Sequence, residues 1–350
     1  MTTRHAARTP SRPGNAPIAV LVTLLCLGVM AGLALGFYWS LSSGVERAQA
    51  LEAESRVGAS TIAAVLDASR SFIEQEAYGK AEAVLTSAVG EHPEDVELRL
   101  ALAEVLLLSG ERVAEAYAQH EAALAVEPNA PEVQFAAGSL ASTLGRADRA
   151  VEHYGMARAA DPDQPRYVLF LAAAQLKSGE TEEAKVNFLH ALHLDPADPT
   201  AAGALATIAL DENERELALN YARRAREADP GGLAYVVLEA RALQRLGRPQ
   251  EALDMLLALP DEQLHGHGVL SVVGACFGLL REPGRAAELY AQAAEAHPGD
   301  SELAFQAALW FERAEDAERA RSFAQRARML GHEQAGAVME RLASPEPGGG

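Results

Sequence analysis

Cysteine is nearly missing from this chain: among 350 residues only Cys26 and Cys276 occur, so no disulfide framework is expected. Cys26 follows Leu25, where a lipid-attachment site would require Gly, Ala or Ser, and both thiols read as small buried apolar groups. Aromatic residues are scarce at 5% while alanine is abundant. That balance suits helices packed closely through small side chains better than a sheet core of β-branched and aromatic residues. Basic residues are short as well, with 30 Lys and Arg against 49 Asp and Glu and a formal net charge of −19. Contact with nucleic acid requires cations that displace counterions from phosphate, so no nucleic-acid partner is expected.

Motifs that carry chemistry are also lacking. No GxxxxGK[ST] loop, GxGxxG turn, GxSxG elbow or HExxH pair occurs. His190 and His193 are spaced H-x-x-H, and His265 and His267 stand as H-G-H, but no cysteine accompanies them. They read as structural or solvated histidines, and neither a metal nor a cofactor is expected. The carboxylates recur at helical surface spacing, the pattern of a solvated face. No enzymatic activity is expected; the alternative of a metal-dependent enzyme would have to be built on the histidine pairs.

What is present begins with one long apolar run. Residues 18–39 carry no charge over 22 positions, enough at about 1.5 Å per residue to cross a hydrocarbon core of about 30 Å. Arg4, Arg8 and Arg12 precede it without an acidic residue, which places residues 1–17 in the cytoplasm and the rest outside it. Phe37, Tyr38 and Trp39 resemble an interfacial belt. A cleaved secretory signal, cut near Ala34 or Gly36, is the alternative, and either way the remainder is exported. Gly28, Gly32 and Gly36 share one helix face and form a candidate dimer seam, although glycine is common in membrane helices. A polar linker follows over residues 40–61.

Beyond it, prolines recur in similar contexts at Pro93, Pro128, Pro162, Pro196, Pro230 and Pro298, at spacings of 35, 34, 34, 34 and 68 residues. A fixed period of this size signals stacked structural repeats. Each period holds two apolar-periodic helical stretches split by a short turn, often at glycine, and closed by the proline. The stretch 131–164 has Gly138 at position 8, Gly145 at 15, Ala150 at 20, Tyr154 at 24, Ala157 at 27 and Pro162 at 32.

This pattern closely resembles the tetratricopeptide repeat, with small residues at 8, 20 and 27, an aromatic near 24 and proline at 32. The resemblance implies an all-α, right-handed α-solenoid of about eight helix-turn-helix units, preceded here by one transmembrane helix. The units fit 62–95, 96–130 with one inserted residue, 131–164, 165–198, 199–232, 233–266, 267–300 and 301–334. In 233–266, Pro260 predicts a shortened second helix, a wider loop and a kink in the stack. Residues 335–343 are expected to cap the array, and 344–350 to be disordered.

The resemblance further implies a groove lined by first helices, with ligand contacts at positions 2, 5, 6, 9, 12 and 13. Carried over, these give Leu100, Phe135, Leu169, Phe170, Val237 and Phe305 as apolar anchors, and Arg166, Lys177, Arg241 and Arg245 as a basic centre. Glu97, Glu104, Asp211 and Glu312 occupy further groove positions. The subclass that grips a carboxyl-terminal tail with Lys at 5 and Asn at 6 and 9 is not matched. The expected partner is therefore a protein or peptide segment with apolar anchors and acidic character.

Together these readings predict a single-pass, membrane-anchored scaffold of bacterial type, its array on the periplasmic side of the inner membrane. It would serve envelope protein biogenesis, secretion or complex assembly. A self-assembling structural oligomer, including a homodimer through the membrane glycines, is the alternative.

Overall fold

A computed structural model describes residues 62–110 and 112–343. The span expected at 18–39, with Gly28, Gly32, Gly36 and Cys26, lies outside the described residues, as do the linker and the tail. Among the described residues the secondary structure is helical throughout, and no helix is long and apolar enough to cross a membrane. The chain divides into two compact units, Met1–Asp195 and Pro196–Gly350.

The first unit contains four helix pairs: α1 (Ile62–Glu74) with α2 (Tyr78–Glu91), α3 (Val96–Leu108) with α4 (Val113–Val126), α5 (Pro131–Thr143) with α6 (Ala147–Ala160), and α7 (Pro165–Ser178) with α8 (Thr181–Leu194). In the second unit the pairs are α9 (Pro199–Asp211) with α10 (Arg215–Ala228), α11 (Leu233–Arg245) with α12 (Pro249–Leu256), α14 (His267–Leu280) with α15 (Pro283–Ala296), and α16 (Ser301–Arg313) with α17 (Ala317–Met329). A short α13 (Asp261–Leu264) follows α12, and α18 (Ala335–Ala343) closes the array against α16 and α17.

Local chemistry starts and stops these helices. Proline occupies the first turn of α5, α7, α9, α12 and α15, where its missing N–H costs nothing. Asp95, Asp198, Asp300 and Asp316 accept hydrogen bonds from first-turn amides of the helices they precede. Between the two helices of every pair stands one residue at positive φ: Glu76, Gly110, Gly145, Gly179, Asn213, Gly247, Arg281 and Glu315. After seven of these the next amide bonds back into the ending helix, as when Glu180 N donates to Gln175 O at 2.9 Å.

Small residues let the two helices of a pair approach. Ala103, Ala172, Ala206 and Ala240 at position 8, and Ala150 and Ala184 at position 20, are almost fully buried. First helices of neighbouring pairs also touch, α1 against α3, α9 against α11 and α11 against α14.

Pro260 acts differently from its sequence-based expectation. α12 does end early, at Leu256, four residues before the proline whose ring would meet that carbonyl in a continued helix. In place of a wide loop, α13 follows at once and buries Leu264. The core of the second unit then runs on through Leu253, Leu256, Leu264, Val269 and Leu270, because Leu264 occupies the layer that the lost last turn leaves open. The division of the chain into compact units falls between Asp195 and Pro196.

Candidate protein-binding surfaces

Burial sorts the ten groove residues. In the first unit the rings of Phe135 and Phe170 lie 5.0 Å apart, edge to face, and Phe135 also meets Tyr154 at 5.4 Å and Tyr167 at 5.5 Å. Leu169 is also buried, and in the second unit Phe305 is buried with its ring stacked on His332 at 4.0 Å. Phe135, Phe170 and Phe305 thus pack against neighbouring rings, and all four expected groove anchors present little surface to a ligand. A burial spacing on one helix does not by itself separate the groove from the seam between helices.

Arg166 belongs to the same cluster. Its guanidinium lies over the rings of Phe135 and Tyr167, at 5.1 and 4.9 Å, and it pairs with Glu132. Tyr167 Oη donates to Glu132 Oε1 at 2.6 Å, and Arg166 Nε is buried without a partner. Lys177 is exposed, with Nζ donating to the Ser142 carbonyl at 3.2 Å, a helix-end oxygen that also accepts from Gly145 N. Leu100 is half-buried on α3.

On α11 the arrangement differs. Val237, Arg241 and Arg245 follow one another at four-residue spacing, so they share a face. Val237 and Arg241 are half-buried and Arg245 is exposed. Burial and then the like charge of Arg245 hold the Arg241 guanidinium below its ordinary range, with Asp211 acting in the opposite sense. Among the described residues neither arginine makes a hydrogen bond or ion pair, whereas Arg112, Arg149, Arg248, Arg319 and Arg341 all hold carboxylates.

Two buried polar clusters escaped the sequence-based expectations. Glu239, at position 7 of its repeat, is nearly inaccessible and accepts from Arg223 Nε at 3.1 Å and from Arg226 Nε. A carboxylate in a slot that holds Ala, Leu or Val elsewhere was the available signal. In the first unit Gln134 Nε2 donates to the Pro128 carbonyl, which turns its Oε1 toward His153 Nδ1 at 2.8 Å. His153 then carries its proton on Nδ1, and Nε2 accepts from Tyr117 Oη at 2.9 Å. The hydroxyl shares its one proton with Glu121 Oε1, to which it also donates at 3.0 Å.

The other histidines are dispersed. His190 is half-buried and His193 exposed on α8; His265 stands edge-on to His297 at 6.3 Å, and His267 Nε2 pairs with Asp300 at 2.8 Å. Among the described residues no three His, Cys, Asp or Glu side chains gather as a metal site.

Repeated antiparallel helix pairs with small residues at their crossings define an α-helical repeat protein. The family model described as Tetratricopeptide repeat matches residues 72–134 and 141–208, and that described as Psidin, N-terminal TPR repeats region, matches 208–328. The chain is a tetratricopeptide repeat protein. It is similar in fold to a tetratricopeptide repeat protein from Parabacteroides merdae ATCC 43184, with a TM-score of 0.54 at 14% identity, covering 71% of this chain and 99% of that one. It also matches PilW, titled a type IV pilus biogenesis factor, at a TM-score of 0.48 and 19% identity over 60% of this chain and 96% of that one. PilF of Pseudomonas aeruginosa matches at 0.48 and 19% over 59% and 94%. No curated protein matches in sequence.

Proposed function

We propose that this tetratricopeptide array is a scaffold that holds acidic segments of partner proteins against the first helices of its second unit, with Arg241 and Arg245 as the charged contacts and Val237 as the apolar one. The observation that carries this reading is Arg241: a half-buried guanidinium beside a second arginine, acted on by Asp211 but held by no carboxylate in a hydrogen bond or ion pair, in a chain of net charge −19. A partly desolvated cation gains most from a ligand that supplies the missing charge, because a charge-assisted hydrogen bond is strongest where water is partly excluded.

Around that contact we place the rest of the chain as its sequence suggests. Residues 18–39 tether the array to a bacterial inner membrane, residues 1–17 stay in the cytoplasm, and the repeats work on the periplasmic side in envelope protein biogenesis, secretion or complex assembly. The uncharged length of 18–39 and the three arginines before it support this placement. Alkaline phosphatase fused after residue 350 is active under this topology; an inactive fusion contradicts it.

The contact is tested by a photo-crosslinking residue at Val237 in intact membranes. Adducts form with the otherwise unaltered chain and fall severalfold in the Arg241→Glu, Arg245→Glu variant. Equal adduct yields refute the assignment.

A further inference from the structure

On α3 of the first unit, Leu100, Glu104 and Leu108 follow one another at four-residue spacing, so they share a face as Val237, Arg241 and Arg245 do on α11. Leu100 is half-buried, Leu108 is exposed, and Glu104 between them is half-buried. Among the described residues Glu104 makes no hydrogen bond and no ion pair. The cation that acts on it is Arg70, which sits at the corresponding position of α1 and whose Nη1 is turned to Asp67 on its own helix at 3.4 Å. Burial raises the Glu104 pKa, and Arg70 only partly offsets it. Glu104 and Arg241 both occupy position 9 of their repeats. The two units thus each carry on a first helix one half-buried charge that the fold leaves unanswered, and the charges are of opposite sign.

A carboxylate kept partly out of water without a donor weakens the folded state, and inside the first unit Arg70 compensates it only in part. Its flanking leucines suit a long cationic side chain, whose methylene stem lies along apolar surface while its head meets the oxygen. An acidic partner residue would be repelled, and a purely apolar one would deepen the desolvation without supplying a hydrogen bond.

We propose that Glu104, with Leu100 and Leu108, is a binding position for a lysine or arginine side chain of a partner segment. The segment that meets the first unit then carries the cation. This rests on the reading of first-helix faces as partner-binding surfaces, but it does not require the Arg241 contact.

The test is selection of random dodecapeptides displayed on phage against the full chain in detergent, as wild type, Glu104→Gln and Arg241→Gln. Wild type enriches peptides with Lys or Arg between apolar residues, and Glu104→Gln loses that class while retaining the acidic class. Arg241→Gln does the reverse. A selected basic peptide, synthesised with a fluorophore, binds about tenfold more weakly to Glu104→Gln. At pH 7 Glu104→Gln melts at the same or a higher temperature than wild type. Absence of basic enrichment with wild type overturns the proposal, as does unchanged enrichment with Glu104→Gln or a lower melting temperature of that variant, which would mark the carboxylate as structural. Absence of the acidic class alone with wild type would count against the Arg241 contact and leave Glu104 standing.

Discussion

The ring of Tyr154 occupies the space that a side chain on Gly138 would need: a Cβ built on Gly138 would lie 2.8 Å from both Cδ1 and Cε1 of the ring. This contact joins positions 8 and 24 of one repeat, and it is the crossing of α5 with α6. Replacing Gly138 by Ala is expected to destabilise the chain by about 1 to 3 kcal/mol through overpacking. Gly155 lies in α6 with nothing near its missing Cβ, so Gly155→Ala should stabilise by about 0.5 to 1 kcal/mol. Urea unfolding of the two variants checks both signs. Ala150→Leu and Ala184→Leu, at buried crossings, should resemble Gly138→Ala.

Arg281 stands at φ 58° between α14 and α15, where Gly145, Gly179 and Gly247 stand in other repeats. The left-handed conformation costs a residue with a Cβ about 1 to 2 kcal/mol. Arg281→Gly should therefore raise stability by about 1 kcal/mol, with Asn213→Gly gaining less because asparagine tolerates this region. Gly179→Ala should lose a similar amount. Thermal melts of the three variants decide the order.

Burial, and next the charge of Arg149, hold His153 below its ordinary pKa, while Glu121 and Glu152 pull upward and His120 downward. Burial lowers His120 as well. For a histidine whose folded pKa is depressed, the unfolded chain binds more protons in the window between the two values. The stabilisation is present in full above the unfolded pKa of about 6.5 and is lost as pH falls through the folded one. Stability should thus decline from pH 7 to pH 5, and His153→Gln should flatten part of that decline. The proton rearrangement is visible too: on protonation, His153 Nε2 donates to Tyr117, whose hydroxyl then turns to Glu121. Imidazole nitrogen shifts across the same pH range follow it.

Glu239 is 3% exposed at its side chain, whereas its partners Arg223 and Arg226 are 44% and 39% exposed. Water can answer the arginines but not the carboxylate. Arg226→Met should consequently destabilise by about 1 to 3 kcal/mol, and Glu239→Met, which removes the buried charge itself, should cost less or stabilise. Denaturant midpoints in that order support the account; the reverse order contradicts it.

The period, the turns at glycine and the smallness of positions 8 and 20 were legible because each is a local requirement. Gly138 and Ala150 must be small whatever surrounds their repeat. Four turn positions were not legible, since Glu76, Asn213, Arg281 and Glu315 are forced to positive φ by closure of the helix pair, against their own preference. The groove was legible only in part. Position 5 or 6 on a first helix lies near the border between the free face and the seam to the next helix, and Phe135 and Phe170 turned into the seam because each ring finds the other there. Arg241 and Arg245 could be located from spacing, but that neither forms an ion pair depends on distant helices. Pro260 marked the end of α12, and Leu264 filled the resulting gap from four residues further on.

The central claim, that the α11 face takes an acidic protein segment through Arg241 and Arg245, is tested most directly by titration of the full chain with an acidic peptide recovered by display. The account predicts binding that weakens with added salt and falls at least about tenfold in Arg241→Glu, Arg245→Glu with the helical signal unchanged. Equal affinity of the variant and the wild type for that peptide would contradict it.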